Sequence, residues 1–578
     1  MDIVSKSTHS SKGSTSRRAG LNVGLTPLRF LQRSAAIHPN KTACVDGTRR
    51  ISFAQMKADA ESFAAHLLRQ GIQPGQRIGV LAPNSYEALL AQFAIPLAGG
   101  VVVALNTRLA PAEIDYIVEH SEITHMIADR ELAGDIQQRN PRLTELYFIA
   151  DYQGRGSTMP IPSASKEVQE VPDDGTAMRI DEMAYQVADE DAAIAINYTS
   201  GTTGKPKGVV YTHRGAYLNA LGQAQTQRFD FSTVYLWTLP MFHCSGWCTG
   251  WAAMAVSATQ VCIRAVRGPE MWRLIANEGV TAMCGAPAVL TTLVDDENKR
   301  RVQNLRIVTA GAPPSPTIIT RCENLGVEVI HVYGLTETYG PYTVCEPQVE
   351  WDEMTVRRRA VLKARQGVAT VTNEDVRVVY QDDGDAGGSN GDSAGDGALR
   401  DVPADGTTMG EVVLTGNGVM REYYRDPEVT EEAFRGGYFH TGDLGVMHPD
   451  GYIQLLDRAK DVIISGGENI STIEVEQAVI SYPDVSDVAV IGVPDEKWGE
   501  RPRAYVVLRP EALGDAKPAS AEQSSADDHQ FDHIAEAIIA HCRAHIAGFK
   551  VPREIRVVSE LPRTSTGKVQ KNVLREQA

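Results

Sequence analysis

YTSGTTGKPKGVVYTHRG, Tyr198 to Gly215, opens with a run that no core element would use, and then turns apolar at Val209 to Tyr211. Gly201, Gly204 and Gly208 let backbone N–H groups turn toward an anion. Ser200, Thr202 and Thr203 add hydroxyl donors beside Thr199, and Lys205 and Lys207 supply charge. The segment reads as a phosphate loop that leads into a strand, with a polyphosphate as its natural ligand. It is not a Walker A loop. Thr199 stands where GxxxxGK[ST] needs its first glycine, and Pro206 follows Lys205.

Outward from this loop the texture is strand–helix alternation. IGVLAP (Ile78 to Pro83) and VVVALN (Val101 to Asn106) read as buried strands, and FAQMKADAESFAAHLLRQG (Phe53 to Gly71) has helical periodicity ending at a glycine. Residues 25–455 are expected to form layered α/β structure. A smaller α+β unit begins after LLDRAKD. Ser471-Thr-Ile-Glu474 is a capping-box pattern, DVAVIGV and RAYVVL read as strands, and Ile534, Ile538, Cys542 and Ile546 mark a helix face ended by Gly548. The expected division is a leader over 1–24, a large N-terminal domain over 25–457 and a small mobile C-terminal domain over 458–578. Two acidic, glycine- or serine-rich stretches, 381–406 and 514–530, read as solvated insertions.

Composition narrows the function. A chain of 578 residues with 43% hydrophobic and 22% charged residues fits a globular enzyme of more than one domain. A formal charge of −17 argues against a broad nucleic-acid face, so basic residues should act locally on an anionic ligand. The eight cysteines lack framework spacing, which fits a reducing compartment. His243, Cys244 and Cys248 cluster without a second ligand pair and read as buried thiols beside a histidine rather than a metal site. No apolar run is long enough to span a bilayer. The first eighteen residues are basic and serine-rich without an apolar core, and Glu576-Gln577-Ala578 is no peroxisomal address. The cytoplasm is the expected location, or the mitochondrial matrix if residues 1–18 serve as a transit peptide.

YTSGTTGKPKG resembles the phosphate-loop signature of the adenylate-forming superfamily: acyl-CoA synthetases, adenylation domains of peptide synthetases and firefly-type luciferases. Further motifs follow in the family's order: GAPP (Gly311 to Pro314), YGLTET (Tyr333 to Thr338), YFHTGDLG (Tyr438 to Gly445), DRAKDVIISGGENISTIEVE (Asp457 to Glu476) and PRTSTGKVQK (Pro562 to Lys571). The resemblance implies a two-domain fold and carboxylate activation by ATP, giving an acyl-adenylate that coenzyme A then captures. It implies that Glu337 holds Mg²⁺, that Thr336 donates to the α-phosphate, and that Tyr333 stacks on adenine against Gly311, Ala312 and Pro313. Asp443 would accept the ribose hydroxyls and Arg458 would reinforce that contact. Lys568 would bridge the carboxylate and the α-phosphate. Lys460 would be the hinge about which the small domain turns, carrying Gly466 and Gly467 toward the pantetheine tunnel.

For the acid, the resemblance implies an acyl pocket between YGLTET and LPMFHCSGW (Leu239 to Trp247). His243 would be the gate near the carboxylate and Trp247 a limit on depth. Acetate-using relatives carry a tryptophan two residues before the threonine of YGLTET. Gly334 stands there in this chain, so an open floor and acids longer than acetate are expected. The motif set is similar to short- and medium-chain or small aromatic acyl-CoA synthetases. The expected partners are a small carboxylic acid, ATP and CoA, with no nucleic acid, and a homodimer is compatible with this reading. Alternatives with the same nucleotide motifs are an enzyme that loads a carrier protein and a luciferase-like oxygenase of acyl-AMP.

Overall fold

The computed structural model describes residues 23–151, 153–161, 185–199, 205–380, 399–458, 461–465, 468–495, 498–513, 518, 531–564 and 568–577. The expected leader up to residue 22, the insertion cores 381–398 and 514–530 (Pro518 apart), and the loop centre Ser200 to Gly204 lie outside them. Among the described residues no helix is long and apolar enough to cross a membrane.

Two sheets carry the phosphate loop and the motifs around it. In the six-stranded sheet, Arg77–Leu81 pairs in parallel with Val101–Ala104, which pairs in parallel with Ala193–Tyr198. The hairpin to Gly208–Thr212 closes one edge. The nine-stranded sheet runs Leu305–Thr309 in parallel beside Val327–Leu335 and then turns back antiparallel through Gly340–Val344. The helix Tyr86–Leu97 is buried on all sides, which explains why it carries little polar periodicity. The helix Phe53–Arg69 starts where Ser52 accepts the Gln55 N–H at 3.2 Å.

The strand–helix alternation expected through residue 455 stops earlier. Arg377–Val379, Met409–Leu414, Phe439–Met447 and Ile453–Arg458 form a four-stranded antiparallel sheet whose order follows the chain. Turns such as Asp450-Gly451 join the last pair directly, with no crossover helix to supply a 3.6-residue period.

From Ile463 onward a separate five-stranded sheet forms. Its long strands Val485–Asp495 and Gly499–Leu508 bury both faces. Val490, Ala504 and Val506 pack with Val475, Val479 and Ile538 of the helices Thr472–Ile480 and Asp532–Arg543. The alternate residues Ala489, Ile491 and Tyr505 pack with Leu574 of the helix Lys571–Glu576. The Asp532 helix ends at Arg543, short of the glycine expected to stop it, and Gly548–Lys550 makes a separate 3₁₀ turn.

The junction between this unit and the preceding sheet is a helix cap. Ser471 accepts the Glu474 N–H at 3.2 Å, and Asp457 Oδ2 accepts both the N–H and the hydroxyl of Thr472 at 2.7 Å. The half-buried Lys571 pairs with Glu476 at 2.8 Å and donates to the Thr472 hydroxyl. Burial raises the Asp457 and Glu476 carboxyl pKa values, and their charge outweighs the desolvation of Lys571, whose pKa is raised.

Candidate active site

The phosphate loop leaves the strand Ala193–Tyr198 and returns as Gly208–Thr212. Its neck is closed by the Thr199 N–H donating to the Lys207 carbonyl at 2.9 Å. Both lysines lie over aromatic faces: Lys205 Nζ is 5.2 Å from the Tyr116 ring centre and Lys207 Nζ is 5.0 Å from that of Tyr423.

YGLTET forms the end of the strand Val327–Leu335 and a 3₁₀ turn over Thr336–Thr338. The turn is held from several sides. The Thr338 hydroxyl donates to the Gly340 carbonyl at 2.7 Å, and the Tyr211 hydroxyl donates to the Thr336 carbonyl at 2.7 Å. The Met420 N–H donates to the Glu337 carbonyl at 2.7 Å, and the Tyr423 hydroxyl donates to Glu337 Oε1 at 2.8 Å. Burial, and then the Glu337 charge, raises the Tyr423 pKa, so its phenol remains a donor. Tyr423 is a site residue that motif reading missed. It comes from a loop 86 positions away from Glu337 and belongs to no periodic element.

Tyr333, expected against adenine, also donates its hydroxyl to Asp443 Oδ2 at 2.8 Å. Asp443 sits in the strand Phe439–Met447, in register opposite Arg458. The Arg458 side chain, Lys460, Gly466 and Gly467 lie outside the described residues. Gly311, Ala312 and Pro313 follow the strand Leu305–Thr309 and line the same cavity.

Lys568 reaches this cavity from the C-terminal unit. A methyl group on Gly311 would stand 3.8 Å from Lys568 Cε. The Lys568 loop is closed by the Thr564 N–H donating to the Lys568 carbonyl at 2.7 Å, and the Lys568 N–H donates to the Thr564 hydroxyl at 3.1 Å. Enclosure, and then the Lys568 charge, lowers the His243 pKa to about 3, so its imidazole is neutral at working pH. Burial pushes the Cys244 thiol up to about 11, and that thiol contacts the Thr336 hydroxyl at 3.5 Å. The cavity, about 1420 Å³, is lined from both units and brings Lys205, Lys207, Glu337, Asp443, His243 and Lys568 together.

Trp247, Gly334 and Gly340, where the acyl pocket is expected, line one side of the cavity. A side chain on Gly334 would place its Cβ 1.9 Å from the Gly340 carbonyl oxygen. Main chain of the next strand therefore lies directly along the direction a side chain on Gly334 would take. Gly340 in turn has φ +116°, and a Cβ there would lie 2.8 Å from Cβ of the buried Trp247. Trp247 closes this wall.

Trp247 is carried by an unusual turn. Cys244, Ser245, Gly246, Trp247 and Cys248 all have left-handed backbone, with φ of 50°, 43°, 65°, 56° and 58°. For the four that are not glycine this conformation costs roughly 1–2 kcal/mol each. Gly246 is required twice over, because a Cβ there would also meet the Trp237 ring at 2.6 Å. The turn is held by Asn197 Oδ1, which accepts the Ser245 N–H at 2.9 Å and the Ser245 hydroxyl at 3.0 Å. All eight cysteines are buried free thiols.

A model of the AMP-binding enzyme family matches residues 31–424, and one of the AMP-binding enzyme C-terminal domain matches residues 474–568. An acetate–CoA ligase of Humulus lupulus is 38% identical, covering 97% of this chain and 96% of the relative. A peroxisomal acetate/butyrate–CoA ligase of Arabidopsis thaliana is 37% identical, covering 96% and 94%. The crystal structure of ATP-bound MatB from Rhodopseudomonas palustris superposes with a TM-score of 0.76 at 25% identity, covering 95% of this chain and 98% of that one. With its nucleotide motifs gathered around one cavity, the chain belongs to the AMP-binding enzyme family, as an adenylate-forming enzyme of the acid–thiol ligase type.

Proposed function

We propose that this chain is an ATP-dependent acyl-CoA synthetase for short-chain carboxylic acids, in the range from acetate to butyrate. The observation that carries the reading is one cavity lined by the phosphate-loop lysines, Glu337, Asp443 and, from the C-terminal unit, Lys568. Relatives named for acetate and butyrate, and a wall closed by Trp247 against Gly340, support the short chain length.

ATP lies with its adenine by Tyr333 and Gly311 to Pro313, its ribose on Asp443 and Arg458, and its phosphates under the loop from Thr199 to Lys207. Glu337 fits Mg²⁺. Its site offers a hard carboxylate oxygen beside the one that takes the Tyr423 hydroxyl, and phosphate oxygens complete such a set. When bound, the ion neutralises phosphate charge. The acid carboxylate attacks the α-phosphorus, an O–P bond forms and the bond to pyrophosphate breaks. Lys568 and the Thr336 hydroxyl hold the two anions together, which is the main barrier to this step. Neutral His243 adds no charge beside the carboxylate. The small unit then turns about Lys460, Lys568 leaves, and Gly466 and Gly467 approach. The CoA sulfur attacks the acyl carbon, forming the thioester C–S bond and releasing AMP. The buried thiols support a reducing compartment, and the cytoplasm is the proposed location, although several relatives, ligases for butyrate, cinnamate and benzoate among them, are named peroxisomal.

The test is pyrophosphate release across straight-chain, branched and aryl acids, with and without CoA. Acid-dependent release that yields an acyl-CoA, highest among short acids, is the expected result. Release without any thioester would point to carrier loading or oxygenation. Silence on every acid would overturn the reading.

A further inference from the structure

The turn Cys244–Cys248 places Trp247 on the acid wall in a backbone that its own sequence disfavours, so something outside it must hold it. Asn197 meets that need. It is 1% exposed and sits inside a sheet, paired with Ala104 on one side and Val209 on the other. Its orientation is set by chemistry, because only the carboxamide oxygen accepts from the Ser245 N–H. That oxygen takes a second bond from the Ser245 hydroxyl. Among the described residues its Nδ2 has no hydrogen-bond partner. A buried unpaired donor is costly, so an apolar side chain would serve better if this position only filled space. Two residues further on, the Thr199 N–H closes the neck of the phosphate loop against Lys207.

We infer that Asn197 is a positioning residue for acid binding. Through Ser245 it clamps the left-handed turn that seats Trp247, and it sets that wall in register with the phosphate loop carried by the same strand. The acid and the α-phosphate are thereby aligned by residues two positions apart, Asn197 in the strand and Thr199 just past its end, which is where small misplacements cost rate. This inference rests on the acyl-CoA synthetase reading and adds the residue that shapes its acid selectivity.

Full-length wild type, Asn197→Ala, Asn197→Asp and Ser245→Ala are compared for KM of butyrate, KM of ATP, kcat, and the rate ratio of butyrate to octanoate. Hydrogen exchange of the peptide containing residues 243–248 is followed in parallel. Asn197→Ala is expected to raise KM for butyrate about tenfold, flatten the chain-length preference and keep KM for ATP within about twofold. Asn197→Asp keeps an acceptor oxygen and is expected to stay near wild type. Ser245→Ala keeps the main-chain bond and is expected to lose about threefold or less. Unchanged selectivity in Asn197→Ala, an equal rise in both KM values, or an aspartate no better than alanine would each overturn the inference. If the alanine variant does not fold, the ordering wild type, Asn197→Asp, Ser245→Ala in acid KM still decides, and an aspartate worse than Ser245→Ala refutes it. If wild type forms no acyl-CoA, the functional reading fails by itself. Faster exchange over 243–248 in Asn197→Ala then still supports the clamp, and unchanged exchange removes it.

Discussion

Replacing Tyr423 by phenylalanine removes one oxygen from the site and little else. The ring stays, and with it the face over which Lys207 Nζ lies at 5.0 Å. What disappears is the 2.8 Å hydrogen bond from the hydroxyl to Glu337 Oε1. A hydrogen bond to a charged group contributes about 1.5–3 kcal/mol. At about 1.4 kcal/mol per decade, the loss is roughly ten- to a hundredfold if the bond is needed to present Glu337 to the metal and phosphates. The effect should fall on one half of the reaction. Single-turnover pyrophosphate release, titrated with Mg²⁺, is expected to slow by that factor with a higher half-saturating Mg²⁺ concentration. Thioester formation from supplied acyl-AMP and CoA should be nearly unaffected, because no pyrophosphate group is present in that step. An unchanged Mg²⁺ dependence would refute the orienting role of Tyr423. Equal losses in both halves would show that the variant had damaged the fold instead.

Lys568→Ala is expected to lower acyl-AMP formation by at least about a hundredfold while sparing thioester formation from acyl-AMP, read by the same two assays; equal loss of both would sink the domain-alternation assignment. Trp247→Ala should extend the acid range, raising the rate on pentanoate relative to butyrate by about ten- to a hundredfold, since one accommodated methylene is worth about 1–3 kcal/mol; an unchanged acid profile would move the pocket limit elsewhere. Asp59 gives a stability test away from the site. Burial raises its pKa to about 6, against donors in Tyr86 and Gln55. The folded state then holds a proton that the unfolded state has released, so stability falls as pH rises from about 4 to 6. Asp59→Asn is expected to flatten that decline and to raise the thermal midpoint at pH 7, by up to about 3 kcal/mol in stability; a midpoint unchanged by the substitution would contradict the raised pKa.

The parts of this site that local chemistry encodes were legible in the sequence. A glycine- and hydroxyl-rich loop between strands has few alternatives to anion binding, and a serine three residues before a glutamate starts a helix wherever it lies. The parts set by tertiary contact were not. Four of the five residues in the left-handed turn are not glycine, and nothing near them in the chain announces their backbone. Trp237, Asn197 and Gly340 impose it from other elements. Gly334 shows the same dependence on tertiary contact. A missing side chain suggests space, yet whether space exists depends on the Gly340 carbonyl, which belongs to the next strand. The antiparallel sheet over 377–458 escaped because short polar turns look alike whether they precede a strand or a helix.

The distribution of thiols gives the molecule a built-in clock for opening. Cys542 is the single cysteine of the C-terminal unit, buried against Ile538 and Val479, and the other seven lie before the junction at Asp457. Cys244 lines the cavity and is open to a small reagent that enters it, whereas the other seven, Cys542 among them, are buried and react only when their surroundings open. Mass spectrometry that finds Cys542 alkylated while the buried cysteines of the large unit, Cys244 apart, stay unmodified reports that the small unit has come apart while the large one held. Multiple labelling that appears together reports global unfolding. The relative stability of the two units can thus be timed in the unmodified protein, without a probe that would disturb the motion between them.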